Sequence, residues 1–469
     1  MRRQRSERSK FVSNKFIKGI IISFSTLLVL YLGISIYFTS HFYFGTALNG
    51  INITGKTAEE ADKLLASRIE SYSLQLEERG DTQEQINASD LGLKYTSDGK
   101  VQELKDNQNA FLWIFAPFIN NNNEISGIIS YDDAMLNKKI DQLDCVKGKN
   151  IVEPKNASLK YTESGYEIVD EVYGNKINKT ALHDALVDAI QNNKTELNLD
   201  SSNVYENPKY TASSKEVLDA KDLADKYVSS KIDYTFGDNK SVELNGSTIH
   251  NWLEVNGNFE LIFNESKVKN YVYSLGDKYN TTGITRDFKN SSGATIKVSG
   301  GDYGWHIDGS AETQDLIETI KNGQTVTKEP KYSQKAASHS SNDIGNTYVE
   351  VDLARQHLWF YKNGSLVVEG NVVTGNAASA DTITPPGVYL LKYKEKDTHL
   401  KGTDYNTPVS YWMPFNNNIG IHDAWWRPPT DFVATTYLGN GSHGCVNAPV
   451  ELAKTIFENI EAGTPVVCY

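Results

Sequence analysis

The sequence predicts a multidomain protein: an N-terminal transmembrane helix, a run of α+β modules, and a C-terminal domain that is mostly β. Three observations carry this. At 469 residues the chain exceeds what one hydrophobic core holds, so several domains are expected. Gly19 to Phe38 is a stretch of twenty residues without a formal charge, about one hydrocarbon thickness when helical. Beyond residue 346 the pattern turns from helical spacing to alternation broken by hairpin turns.

The elements follow in chain order. Residues 1–18 carry Arg2, Arg3, Arg5, Arg8, Lys10, Lys15 and Lys18 against Glu7, so the positive-inside rule places them in the cytoplasm. Residues 19–38 are the span. A cleaved signal peptide is the rival reading, disfavoured by the length of the apolar run and the lack of a small-x-small site in Thr39–Phe44. Residues 46–332 read as extracellular α+β modules. Their first helix is expected from Ala58 to about Glu70, capped by Thr54 or Thr57. Two echoes suggest a repeat. Leu48–Ile53 resembles Leu244–Ile249. Gly165–Val169 followed by a helix at 179–190 resembles Gly304–Asp308 followed by one at 311–320. Residues 333–346 are polar and aperiodic, and read as a linker. In 347–469, Tyr348–Leu353 alternates, and Asn363-Gly364 joins two strands. Pro449–Ile460 is the one helix expected there, and Thr464–Val467 closes the domain as a strand.

Composition excludes several functions. The net charge is -12 despite the basic N-terminus, so the main body is acidic, which argues against nucleic acid as a partner. No phosphate-cradling glycine pattern precedes a helix. The cysteines Cys145, Cys445 and Cys468 form no disulfide framework, and a pairing of Cys145 with Cys468 is not expected.

The chemistry concentrates at Ser442-His443-Gly444-Cys445-Val446-Asn447. An ordinary thiol is only a few per cent thiolate at neutral pH, so a nucleophilic cysteine gains from a neighbouring base. His443 lies two positions away, on the same face if the segment is extended. His422 reaches the thiol only through tertiary structure. Asp423 or a backbone carbonyl would orient one imidazole, and the amides around Gly444 and Cys445 are candidates for an oxyanion hole. Their spacing fits no recurrent zinc motif, so neither metal nor cofactor is expected. A buried structural cysteine is the bland alternative.

With these residues in place, 347–469 resembles the YkuD-type L,D-transpeptidase domain. The family pattern is a histidine, a gap, Ser/Thr-His-Gly-Cys, an apolar residue and Asn or Arg. Here it reads His422, then Ser442–Asn447, with Ile419–His422, Val373-Thr374-Gly375 and Thr384-Pro385-Pro386-Gly387 also matching. The resemblance implies that Cys445 attacks a peptidoglycan tetrapeptide stem, D-alanine leaves, a thioester forms, and a side-chain amine of another stem resolves it as a 3→3 cross-link. It implies His422 as base, His443 shaping the pocket, and Asp423 orienting His422. Ser442, Gly444 and Asn447 would support the loop or bind substrate. Trp425 and Trp426 sit on an enlarged lid, and Arg427 is a candidate for a substrate carboxylate. Acylation by β-lactams, carbapenems above all, follows from the thioester. The modules resemble peptidoglycan-binding or spacer units of Gram-positive members, facing the cell wall from a single-pass bacterial membrane anchor. An L,D-carboxypeptidase or a non-catalytic wall-binding protein are the alternatives.

Overall fold

The structure, a computed structural model, describes residues 2–237, 240–402 and 405–469, with side chains from residue 15 onward. The basic side chains up to Lys10 lie outside the described residues. Contacts divide the chain into two compact units, 1–158 with 170–212, and 159–169 with 213–469.

In the first unit a helix runs from Arg2 to Ser40. Its Lys15–Ser40 part is long and apolar enough to cross a membrane, the one such segment among the described residues. Its C-terminal carbonyls are not left to water. Lys105 Nζ donates to Phe38 O at 2.8 Å, and Gln108 Nε2 to His41 O at 2.8 Å. A cation at the negative end of a helix dipole is favourable. The helix Ala58–Glu70 then starts at Thr57, whose side chain and that of Glu60 form a capping box.

A repeat is present, though not quite where the echoes lay. In the first unit, helix Ala58–Glu70 leads into the hairpin Ser73–Glu77/Gln83–Asn87. Helix Lys179–Gln191 later delivers Glu196–Asn198 parallel to Ser73–Glu77. In the second unit, helix Lys215–Val228 leads into Lys231–Thr235/Ser241–Leu244, and helix Gly309–Lys321 delivers Thr325–Lys328 parallel to Lys231–Thr235. The helices at 179 and 309 are therefore equivalent, but the strands before them are not. Gly165–Val169 is one arm of a hairpin within the second unit, whereas His306–Ile307 pairs with Tyr332–Gln334. The counterpart of Leu244–Ile249 is Ile86–Leu91, since Asn87 ends a strand, Asn245 directly follows one, and each is the N-cap of a short helix. Leu48–Ile53 instead belongs to a small hairpin.

From residue 346 two sheets face each other. One has the order Ser365–Asn371, His357–Lys362, Tyr348–Asp352, Pro465–Cys468, Gly387–Leu390. The other has Glu395–Lys401, Asn406–Asn416, Ile419–Asp423, Val446–Ala448. Val351, Leu358 and Phe360 meet Met413, Ile421 and Val446 in the core, and Leu452, Ala453 and Ile456 of helix Val450–Asn459 complete it. Residues 333–346 are not a slack linker. Asp343 and Ile344 are buried, and Asp343 accepts from Arg286 Nε at 2.7 Å and Nη2 at 3.0 Å. The strand-poor composition hid this because the stretch is ordered by partners distant in sequence. All three cysteines are free.

Candidate active site

Strand register assembles the site. Ile419–Asp423 and Val446–Ala448 pair in parallel, with Ile421 opposite Val446 and His422 opposite Asn447. Cys445 thus lies beside Gly420, one step before the pairing begins. Cys445, Asn447 and His422 share one face, because side chains alternate along a strand. Strand spacing and rise put the Cys445 and His422 backbones roughly 8 Å apart on the diagonal, within side-chain reach. Gly420 has no room for a side chain, since a Cβ would come within 2.6 Å of the Trp412 ring.

His422 is 3% exposed. Trp412 and Trp426 pack around it, with ring centroids 5.9 Å and 5.8 Å away. Burial lowers its pKa below the usual 6.5. Its Nδ1 lies 2.9 Å from the Asp423 main-chain carbonyl, a bond that only an N–H can make, so Nε2 is left as the proton acceptor. The same alternation corrects the expectation for Asp423. Its carboxylate points to the opposite face, where it accepts the Ser410 and Tyr411 amides at 2.8 Å each. Asp423 orients His422 by its backbone, not by its charge.

Desolvation pushes the Cys445 thiol up to about 11, opposed by the Gly420 N–H. The thiol contacts Asn418 O at 3.5 Å. The loop before it is tightly braced. Ser442 Oγ donates to Cys445 O at 2.5 Å and accepts Gly444 N–H at 3.0 Å. That bond removes the Gly444 amide from the expected oxyanion donors. Gly444 has φ +118, and a Cβ there would press on Ile419 at 3.1 Å. Thr384, which sequence reasoning left without a role, donates to Gly444 O at 2.7 Å and accepts Gly375 N–H at 2.9 Å. Val373 and Asn447 exchange backbone bonds at 2.9 Å, and Ser442 N donates to Thr374 O at 3.0 Å. The upstream motif pieces therefore fold around the cysteine loop. Gln356, also unforeseen, is fully buried and holds Thr374 through both its amide oxygen and nitrogen, each at 2.7 Å.

A cleft of about 210 Å³ opens over the thiol, lined by His422, His443, Cys445, Asn447, Trp426 and Arg427, among others. His443 is exposed at its rim, stacked on Tyr405 at 5.1 Å. Of the two lid tryptophans only Trp426 lines the cleft; Trp425 turns aside and donates to Pro408 O at 3.1 Å. Arg427 lines it with a mostly buried side chain, its Nε without a partner among the described residues and Asp431 4.0 Å from Nη1. The Asn447 Oδ1 is likewise buried and unpartnered among the described residues.

Comparison with known proteins matches this arrangement. The YkuD family model, the L,D-transpeptidase catalytic domain, matches residues 346–468. A model described as "Putative peptidoglycan binding domain" matches twice, at 84–198 and 210–328. The crystal structure of a cysteine-to-serine mutant of Enterococcus faecium L,D-transpeptidase is 34% identical, covering 54% of this chain and 100% of its own, with a TM-score of 0.44. The NMR structure of the E. faecium L,D-transpeptidase catalytic domain acylated by ertapenem is 40% identical, covering 27% and 98%, with a TM-score of 0.25. "Putative L,D-transpeptidase YciB" of Bacillus subtilis is 24% identical over 165 residues, 34% of this chain and 84% of its own length. One third of positions is shared across the whole of the first relative, and the family model covers the segment that folds around the cysteine. The chain belongs to the YkuD-type L,D-transpeptidase family, with peptidoglycan-binding modules preceding its catalytic domain.

Proposed function

We propose that this chain is a membrane-anchored peptidoglycan L,D-transpeptidase, with Cys445 as nucleophile and His422 as general base. Residues 1–18 lie in the cytoplasm, 19–38 cross the membrane, 46–332 contact the wall, and 347–469 carry out the reaction outside the cell. The observation that carries the chemistry is the parallel register that sets Cys445 and His422 on one face, with Nδ1 committed to the Asp423 carbonyl.

Both partners are neutral at rest, since burial disfavours imidazolium and thiolate alike. As Sγ bonds to the carbonyl carbon between the third and fourth stem residues, its proton passes to His422 Nε2. The Cys445 amide supports the developing oxyanion. The tetrahedral adduct collapses, the C–N bond breaks, and D-alanine leaves with the proton from His422. A side-chain amine of a second stem then bonds to the thioester carbon and gives up a proton to His422; the C–S bond breaks, and that proton returns to Sγ to restore the thiol. Trp426 forms an apolar wall of the cleft, Arg427 takes the D-alanine carboxylate, and Asn447 accepts from the stem. Ser442 and Gly444 shape the loop, and His443 borders the acceptor side. The same thioester chemistry supports acylation by carbapenems, as the ertapenem adduct of the E. faecium relative illustrates.

Incubated with disaccharide-tetrapeptide, the wild type is expected to release D-alanine and form a dimer detectable by mass spectrometry, and Cys445→Ala to form none. Tripeptide without dimer would replace transpeptidase with carboxypeptidase. Dimer formed by Cys445→Ala would end the assignment of the nucleophile.

A further inference from the structure

The first module carries a segment that its repeat lacks. Residues 92–132 stand where the second module has only 250–264, between equivalent short and long helices. Within them, Ala110–Phe118 (AFLWIFAPF) forms a 3₁₀ turn of apolar residues. Phe118 is 86% exposed, and Phe111, Leu112, Ile114, Phe115 and Ile119 are each about half exposed. A water-facing surface rarely gathers so many large apolar side chains. No charge interrupts 107–123, whose ends are amides, Asn107 to Asn109 and Asn120 to Asn123.

The turn is fixed to the anchor helix. Tyr31 OH donates to Phe111 O at 2.7 Å, and Trp113 Nε1 donates to Ser35 Oγ at 3.2 Å. The Trp113 ring lies 6.0 Å from Tyr31 and 6.1 Å from Phe38. With Lys105 and Gln108 holding the helix end, the module cannot lift away without breaking these bonds.

We propose that Ala110–Phe118 is a second membrane contact, its apolar side chains inserted into the outer leaflet beside the anchor helix, seating the first module on the bilayer. This rests on the reading of 19–38 as a retained span. Helix length carries it. If the turn stood in water, Tyr31–Phe38 would stand there too, leaving Gly19–Leu30, about 18 Å at 1.5 Å per residue, against a hydrocarbon core of about 30 Å. With the turn in lipid, Gly19–Phe38 supplies about 30 Å. Trp113, held against Ser35 and Phe38 near the outer end of the span, then lies close to the region where aromatic belts gather, and the amide-rich ends lie among headgroups.

The test uses the full chain, with Cys145→Ala and Cys445→Ala, reconstituted in phosphatidylglycerol/phosphatidylcholine vesicles. Single nitroxide labels are placed at Phe118→Cys, Val29→Cys or Lys63→Cys, all exposed positions whose labelling leaves the core intact. Collision with oxygen is compared with collision with a water-soluble nickel complex. The labels at 29 and 118 are expected to favour oxygen, with 29 deeper, and the label at 63 to favour nickel. A label at 118 that favours nickel, while 29 favours oxygen, overturns the second contact and leaves the anchor standing. Nickel access at 29 overturns the anchor and the contact together. Shielding of 118 from both reagents, with spin–spin broadening on full labelling, would assign the patch to a second copy of the chain instead of lipid.

Discussion

In the proposed mechanism His422 and Cys445 divide the catalytic problem between them, and their environments set its pH dependence. Burial holds His422 neutral as pH falls through 6.5, so the base is lost only at lower pH. The thiol is pushed up to about 11, so thiolate does not accumulate as pH rises through 9.0. Acylation by a carbapenem under single-turnover conditions is therefore expected to be flat between those values. A rate climbing about tenfold per pH unit across that window would mean attack by preformed thiolate and would remove His422 as the proton acceptor during attack. What the sequence disclosed at this scale was local. The run Ser442–Asn447 announces its chemistry because its parts are adjacent. Trp412 and Gln356 escaped notice, and Thr384 was matched but left without a role, because each acts on the site across a fold that adjacency does not record. Asp423 misled for the opposite reason: it adjoins His422 in sequence, and a strand sends such neighbours to opposite faces.

Among the elements, the cysteine loop is held from outside by Thr384. Thr384→Val keeps the shape but leaves the Gly444 carbonyl and the Gly375 amide buried without that hydroxyl. A loss of about 2–4 kcal/mol is expected, read as a fall in unfolding temperature together with slower acylation; an unchanged melting curve would show that the hydroxyl does not brace the loop. At the other end of the chain, Thr57→Ala removes a capping box and is expected to cost about 1 kcal/mol, measured by denaturant unfolding. Helix 58–70 was legible from its cap and apolar spacing, helix 450–459 from apolar spacing, and the strands around Asn363-Gly364 from the turn that joins them. Glu395–Lys401 was not. Its sequence, EKDTHLK, is poor in strand-forming residues, and its place is given by pairing with Asn406–Asn416.

For the whole molecule, the second module and the catalytic domain act as one body. Arg286 and Asp343 form a buried bidentate pair, and the hairpin Arg286–Lys289/Thr295–Val298 brings Ser291 to the fully buried Glu350, with bonds at 2.9 and 2.6 Å. Asp343→Ala strands a guanidinium and is expected to cost about 3–5 kcal/mol. Calorimetry should then separate one transition into two; a single transition at the original temperature would show that the pair does not couple them. The repeat was visible in the sequence as faint echoes, but its true alignment depended on which strands pair, a property of topology. An interior strand of the five-stranded sheet, Pro465–Cys468, has a further consequence. It joins Tyr348–Asp352 in parallel after more than a hundred intervening residues, and such long-range closures are slow to form. Cys445 lies inside the loop that this pairing closes. A chain still folding therefore carries this thiol without His422 beside it, and the proposed nucleophile meets its base only once the architecture is complete.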